Sequence, residues 1–312
     1  MNEQTKLTEE IIDNLISDRK TDRLWRNIRF FTYIGIVLLL TLLLVVLLIP
    51  HQPSNINKKH FSLVRMSGMI MPGSNFSAAR VIPELQHAFH DDKSSGVILE
   101  INSGGGAPVQ SELIHNEILR LKHATKKKVI VVGDDVLASG AYLIATAADK
   151  IYVNQDTITG SIGVIMASFG FTGAMKKLHI ERRVITAGKH KDRLDPFKDA
   201  EVQDTNKITN LIGITRQHFM QFVKEGRGNL LKTPAQAKIN PRDNSLDTGD
   251  FWIGTEAKKL GLVDGFGDIY SVGKKEFGTQ DFVDYTAKIS FLDDLVGNAS
   301  KSVQRAALSL TT

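Results

Sequence analysis

The sequence predicts an α/β domain standing behind one N-terminal transmembrane helix. Three observations carry that prediction: an unbroken apolar run near the N-terminus, short β-branched runs alternating with helix-period stretches after residue 60, and glycine-rich turns where several of those runs end. With 312 residues, 42% of them hydrophobic, the chain is long enough to bury one sizeable core plus accessory pieces. The 39 basic and 34 acidic residues leave a net charge of +5. Basic residues are spread along the chain without interleaved aromatics, which argues against a nucleic-acid partner. There is no cysteine. Disulfides, thiolate metal sites and a cysteine nucleophile are therefore excluded, and the composition suits an oxidising compartment.

Taken in order, residues 1–29 form a short cytosolic tail with mixed charge and an Ile11/Ile12/Leu15/Ile16 stripe. Residues 30–49, "FFTYIGIVLLLTLLLVVLLI", hold 20 positions without a charge and end at Pro50. At 1.5 Å per residue such a helix spans about 30 Å, the thickness of a bilayer's hydrocarbon core. A cleaved signal peptide has a shorter apolar region, about 7–15 residues, followed by a small-x-small site that is missing here. Arg19, Lys20, Arg23, Arg26 and Arg29 crowd the near flank, whereas Lys58 and Lys59 come first on the far side. The helix thus reads as a retained anchor in contact with lipid, its N-terminus cytoplasmic and the rest of the chain across the membrane.

Residues 50–60 read as a polar linker, 61–292 as the main domain and 293–312 as a weakly structured tail. Strand-like runs occupy 61–71, 96–103, 128–135, 150–155, 161–166 and 181–188. Helical patterns fall at 77–92, 110–123, 139–148, 172–178 and 199–225, the last burying one face through Ile208, Leu211, Ile212, Ile214 and Phe219. The stretches "TPAQAKIN" and "GTEAKKLGLVDGFGD" add a short helix ending in a glycine turn. Alternating strands and helices imply parallel pairing through right-handed crossovers.

Chemistry is concentrated where apolar runs meet small residues. In "VLASGAYLIATAADKIYV" a serine, Ser139, sits between Ala138 and Gly140, after a strand and at the head of a helix. Serine needs a base to become a nucleophile. None of the nine histidines has a signature that marks it as that base, and no HExxH, HxxxH or paired acidic motif offers a metal. No cofactor is implied. A lysine can serve instead if it is neutral. Lowering its pKa from about 10.4 to about 7 costs roughly 4.6 kcal/mol, mainly through desolvation. Lys189 and Lys191 in "TAGKHKDRLDPF" stand just after an apolar run, and Thr159 and Ser161 in "TITGSIGVI" supply hydroxyls that orient a neutral amine. In "EINSGGGAP", three glycines let backbone N–H groups approach a developing oxyanion, each worth about 2.7–4 kcal/mol.

Together these stretches resemble the signal peptide peptidase A family of serine proteases, peptidase family S49. The resemblance runs from about residue 61 to 267 on "NSGGG", "ASGAY", "AADKIY", "TGSIGV", "GKHKD" and "GLVDGFG". It implies a Clp-protease/crotonase-like fold of repeated β-β-α units, with 61–292 as the extracytoplasmic peptidase domain. It places the nucleophile on Ser139, the general base on Lys191 with Lys189 in reserve, and the lysine-orienting hydroxyl on Ser161. The oxyanion N–H falls on Gly106, with Gly105 beside it and Gly140 as a neighbouring donor. The 52-position spacing from Ser139 to Lys191 matches the half-length, membrane-anchored bacterial members. Those imply remnant signal peptides and other membrane-associated peptides as substrates. They also imply a homo-oligomer, an octamer by resemblance, with serine and lysine from adjacent chains in a bacterial inner membrane. Two positions depart from the family: Gly104 stands for its proline, and Ala141 for the second glycine after the serine. The rival expectations are a scaffold protein that kept the fold without the chemistry, and an acyl-CoA enzyme of the crotonase type. The membrane anchor argues against the latter, and a scaffold has no need of Ser139, Ser161 and Lys191 together.

Overall fold

The computed structural model describes residues 23–43, 58–239 and 244–286. It contains two units, residues 1–54 and 55–312. The first unit's described part is one helix, α1 (Arg23–Leu43), with mean hydropathy 1.5 and no buried side chains. By length and composition it can cross a membrane. It begins before the apolar run, taking in Arg26 and Arg29, and residues 44–49 of the expected span lie outside the described residues. So do residues 1–22 of the expected cytosolic tail, most of the linker and the whole of 293–312.

The second unit is the expected α/β fold. Its elements are β1 (His60–Ser67), α2 (Ala78–Phe89), β2 (Ser94–Ser103), α3 (Pro108–Thr125), β3 (Val129–Ala138), α4 (Gly140–Ala145), β4 (Lys150–Val153) and β5 (Ile158–Gly160), then α5 (Thr172–Leu178), α6 (Val202–Arg227), β6 (Phe251–Ile253), α7 (Gly254–Lys259), β7 (Gly265–Phe266), α8 (Ile269–Phe277) and β8 (Phe282–Asp284). One sheet joins them in the order β6-β5-β3-β2-β1-β8, with β4 and β7 branching from β3. Every pairing is parallel except β5 with β6.

Both faces of the sheet are covered, which is why its strands read as unbroken apolar runs. Alternate residues feed two cores. Val64, Val97, Leu99, Val129 and Val131 face the helices α2, α3 and α4, while Phe61, Leu63, Ile98, Ile130 and Val132 face α8. The α8 side carries a capping box, in which Asp268 accepts from the N–H groups of Tyr270 and Ser271 at 2.8 and 3.0 Å.

Three expectations differ from what the chain does. Residues 161–166 and 181–188 form no strand, because β5 ends at Gly160 and Ile185 stands fully exposed with no neighbouring strand to pair with. β propensity without a partner does not make a strand. Helix α6 buries Phe219, Val223 and Arg227 at i, i+4 spacing, but leaves Leu211 and Ile214 about half exposed. Asp204 is buried on its first turn, and its apolar packing on the core comes from its C-terminal third. There Arg227 donates to Gly261 O at 3.0 Å and to Asp264 Oδ2 at 2.8 Å.

Beneath the sheet, Glu276 of α8 is nearly buried and accepts from Lys128 Nζ at 2.5 Å, Lys150 Nζ at 2.9 Å and Tyr152 Oη at 2.6 Å. Burial alone would raise its carboxyl, but hydrogen bonds from Lys128, Tyr152 and Lys150 outweigh it and hold the group at about 2. A depressed folded-state value stabilises the protein above the unfolded value and is lost as pH falls through the folded one. Unfolding free energy is therefore expected to drop by about 3 kcal/mol between pH 4.5 and 2 through this group. In denaturant titrations across that window, Glu276→Gln should flatten the decline; a variant that parallels wild type would refute the assignment.

Candidate active site

The site is built at the carboxyl end of β3, where three segments meet. Strand β5 pairs with β3 in the register Val136–Ile158, Leu137–Thr159 and Ala138–Gly160. The residues that follow the last pair are Ser139 and Ser161, and both line the same cleft. Ser139 N–H donates to Gly160 O at 2.8 Å, and Ser161 N–H donates to Asp250 O at 2.8 Å. Thr159, the other hydroxyl of that turn, is buried and donates to Leu137 O at 2.6 Å, which removes it from the site.

Ser139 has φ +52° and ψ −125°, a region that residues with a side chain rarely occupy. The turn is tight because β3 passes into α4 within a single residue. It leaves Ser139 part-exposed, and among the described residues its Oγ has no hydrogen-bond partner.

The Ser103–Ala107 loop closes against this turn. At Gly105, φ is +99°, and a Cβ there would stand 2.7 Å from both Gly140 N and Ser139 Cβ. At Gly106 a Cβ would stand 2.0 Å from Ile70 O, and one at Gly140 would stand 2.4 Å from Ser111 Oγ. Gly105 N–H donates to Ser103 Oγ at 3.1 Å, and Ala107 N–H to Ile70 O at 2.7 Å. Among the described residues, the N–H groups of Gly106 and Gly140 have no acceptor. Gly105 thus does not offer the free donor expected of it; its part is to let the two backbones touch.

These residues open on a cleft of about 660 Å³ that Gly106, Ser139, Gly140 and Ser161 line together. Leu143, Ile212, Phe219 and Phe222 make its apolar wall. Behind Phe222 lies His115, its ring edge-on at 4.7 Å and its pKa pushed down by burial, so the wall is backed by a neutral imidazole. The charged or titratable groups on the cleft are Glu112, Arg216, His218 and Asp247, with Arg216 3.9 Å from Asp247. Reading the sequence missed His218 and Arg216, which sit on α6 in an ordinary amphipathic pattern; only the packing of α6 brings them to the cleft.

Lys189 and Lys191 are not part of this cleft. Both are exposed, on a loop that follows an arm beginning near Gly163. That arm carries α5 and side chains such as Ile165, Phe169 and Ile185 that are 92%, 79% and 100% exposed. Among the described residues no cluster of His, Asp and Glu is arranged to hold a metal.

Residues 122–276 match the family described as Peptidase family S49. The chain is 42% identical over 221 residues to a Brucella melitensis protein named Na(+)/H(+) antiporter NhaA, a match spanning 69% of this chain and 29% of that one. It is 35% identical over 198 residues to a putative protease of Methanocaldococcus jannaschii, across 64% and 60% of the two chains. A putative signal peptide peptidase SppA of Enterococcus faecium is 28% identical over 225 residues, across 70% and 60%. The chain thus spans less than two thirds of the length of each of these relatives.

The contact between the glycine loop and the serine turn can be tested directly. Gly105→Ala forces a methyl between two backbones and should cost about 1–3 kcal/mol of unfolding free energy. Gly104→Ala meets open space and should stay within about 0.5 kcal/mol of wild type. Equal midpoints for the two variants in thermal or urea unfolding would show that the loop does not bear on Ser139.

Proposed function

The chain belongs to peptidase family S49, and from that premise we propose that it is a membrane-anchored serine endopeptidase with a Ser139/Lys191 dyad. The observation that carries the reading is the convergence of a strained, unpartnered Ser139 hydroxyl with two unengaged N–H groups, those of Gly106 and Gly140, on one cleft. A constellation of nucleophile and preset oxyanion donors is what acyl transfer needs.

Neutral Lys191 takes the proton from Ser139 Oγ as the oxygen attacks the substrate's carbonyl carbon. The carbonyl electron pair moves onto oxygen, and the Gly106 and Gly140 N–H groups hold the resulting oxyanion. Collapse breaks the C–N bond, and Lys191 returns the proton to the leaving amine. Water, deprotonated by the same lysine, then cleaves the acyl ester and restores Ser139. Ser161 orients the amine.

Lys191 is exposed and lies apart from the cleft of its own chain, so the reading takes the lysine from an adjacent copy in a homo-oligomer. Such an arrangement also desolvates the amine, which lowering its pKa requires. The apolar wall formed by Leu143, Ile212, Phe219 and Phe222 suits apolar peptide segments, and helix α1 suits an enzyme held where such segments remain. We therefore take remnant signal peptides and other membrane-associated peptides as the substrates, with the N-terminus cytoplasmic and the peptidase unit outside. The name of the Brucella relative, an ion antiporter, belongs to a chain of which 29% matches here. The cleft residues suit acyl transfer, and the transport reading is not adopted.

The test uses full-length protein in detergent and a quenched fluorescent apolar peptide. Ser139→Ala and Lys191→Ala should each lose at least about 10³-fold in kcat/KM, while Lys189→Ala and His218→Gln stay near wild type. Co-assembling the Ser139→Ala and Lys191→Ala chains in equal amounts should restore about a quarter of wild-type activity, the share of interfaces pairing an intact serine with an intact lysine. Activity in Ser139→Ala, or its loss in His218→Gln with Lys191→Ala unaffected, would overturn the dyad.

A further inference from the structure

The charged residues that follow Lys191 on its loop, Asp192, Arg193, Asp195 and Lys198, are each engaged by a partner other than the lysine. Asp192 Oδ2 accepts from Lys198 Nζ at 3.1 Å, and the same ammonium reaches Glu201 Oε1 at 2.7 Å. Arg193 Nε donates to Asp204 Oδ1 at 2.5 Å, on the first turn of α6, where the carboxylate is buried. Asp195 accepts from Arg182 and from Phe197 N–H. Phe197 in turn stacks on Phe171 at 5.3 Å and lies under the Arg182 guanidinium at 4.9 Å, and Phe171 N–H donates to Pro196 O at 2.7 Å. The loop is thereby fastened to the arm and to α6. By contrast, among the described residues Lys191 Nζ has neither a hydrogen bond nor an ion pair.

A general-base lysine must be neutral, and a carboxylate within about 4–6 Å favours the charged form. Asp192, the next residue, is the carboxylate nearest to Lys191 along the chain. The other charged or titratable groups around Lys191 are Lys189, His190, Arg193 and Asp195 on its own loop, Arg182 on the arm, and Glu201 and Asp204 at the start of α6. Asp195 and Asp204 are already paired to arginines. Asp192 is the one whose pairing depends on a single flexible lysine. We propose that Lys198 is a positioning residue of the peptidase, which holds the Asp192 carboxylate off Lys191 and so delivers that amine to the cleft without a counter-ion. The proposal rests on the reading of Lys191 as general base. The Asp192 carboxyl lies below its ordinary range, first because of the hydrogen bond from Lys198.

The measurement is the pH profile of kcat/KM for the full-length enzyme on a peptide without titratable groups. Lys198→Gln frees Asp192, so the acid limb should move about one unit up in pH, a tenfold loss at pH values below it. Lys198→Arg keeps the pair and should keep the limb. Asp192→Asn/Lys198→Gln removes both charges and should return the limb to its wild-type place. Loss of a merely structural contact would lower the whole profile without moving the limb. An unmoved limb in Lys198→Gln, with Lys191→Ala inactive, overturns the positioning role and leaves the dyad standing. An active Lys191→Ala removes the dyad and this proposal together. If Lys198→Gln is inactive at every pH, the double variant decides: recovery supports the proposal, continued inactivity overturns it.

Discussion

The arrangement of the candidate site depends on one close approach, that of the Gly105 backbone to the Ser139–Gly140 peptide. A side chain at Gly105 would stand 2.7 Å from Gly140 N, so the two segments meet with no atom to spare. That contact places the Gly106 and Gly140 N–H groups side by side. It is supported from below by the β2–β3 and β3–β5 pairings, which bring both loops to the same edge of the sheet. Strain at Ser139 persists because its neighbours on all sides are held: Gly160 by pairing, Gly105 by Ser103, Gly106 by Ile70. The energy stored in the turn is drawn from the parallel core behind it.

Only part of the proposed site is assembled this way. The proposed nucleophile, the proposed oxyanion donors and the Ser161 hydroxyl all come from the carboxyl end of the sheet, whereas Lys191 sits on a charged loop beyond an exposed apolar arm. The proposed sharing of the dyad gives both features one cause. An arm with Ile165 and Ile185 almost bare to water is costly in an isolated chain, at about 25 cal/mol per Å² of apolar surface, and that cost disappears when another copy covers it. The loop, by contrast, is fastened by its own ion pairs and the Phe171–Phe197 stack.

Much of this was legible in the residues. Residues 30–49 read as a membrane span from length and lack of charge, and α1 overlaps that run. Strands β1 to β4 were legible because a sheet covered on both faces selects unbroken Val and Ile runs. The bounds of α5, 172–178, were read without error. The strands expected at 161–166 and 181–188 were not formed, although "SIGVIM" and "ERRVITAG" have the right composition. Leu211 and Ile214 have helical spacing, yet α6 leaves them about half exposed. Short elements such as β6, β7 and β8 gave no local signal, since three residues or fewer form a strand only when a neighbour supplies the hydrogen bonds.

By itself, the sequence determined the kinds of residue available: one apolar span, no thiol, a serine after a strand, a run of glycines, and two lysines in a basic loop. Those are properties of composition and local order, which short-range physics expresses directly. Tertiary structure alone decided which of them meet. It showed that Gly105 serves contact while Gly106 and Gly140 hold free donors, that Thr159 is consumed by Leu137, and that Ser161 stands beside Ser139 through strand register. It also put Lys191 outside its own chain's cleft. Whether an N–H is free or a hydroxyl is spent depends on atoms far away in the chain, brought near by burial of a shared core.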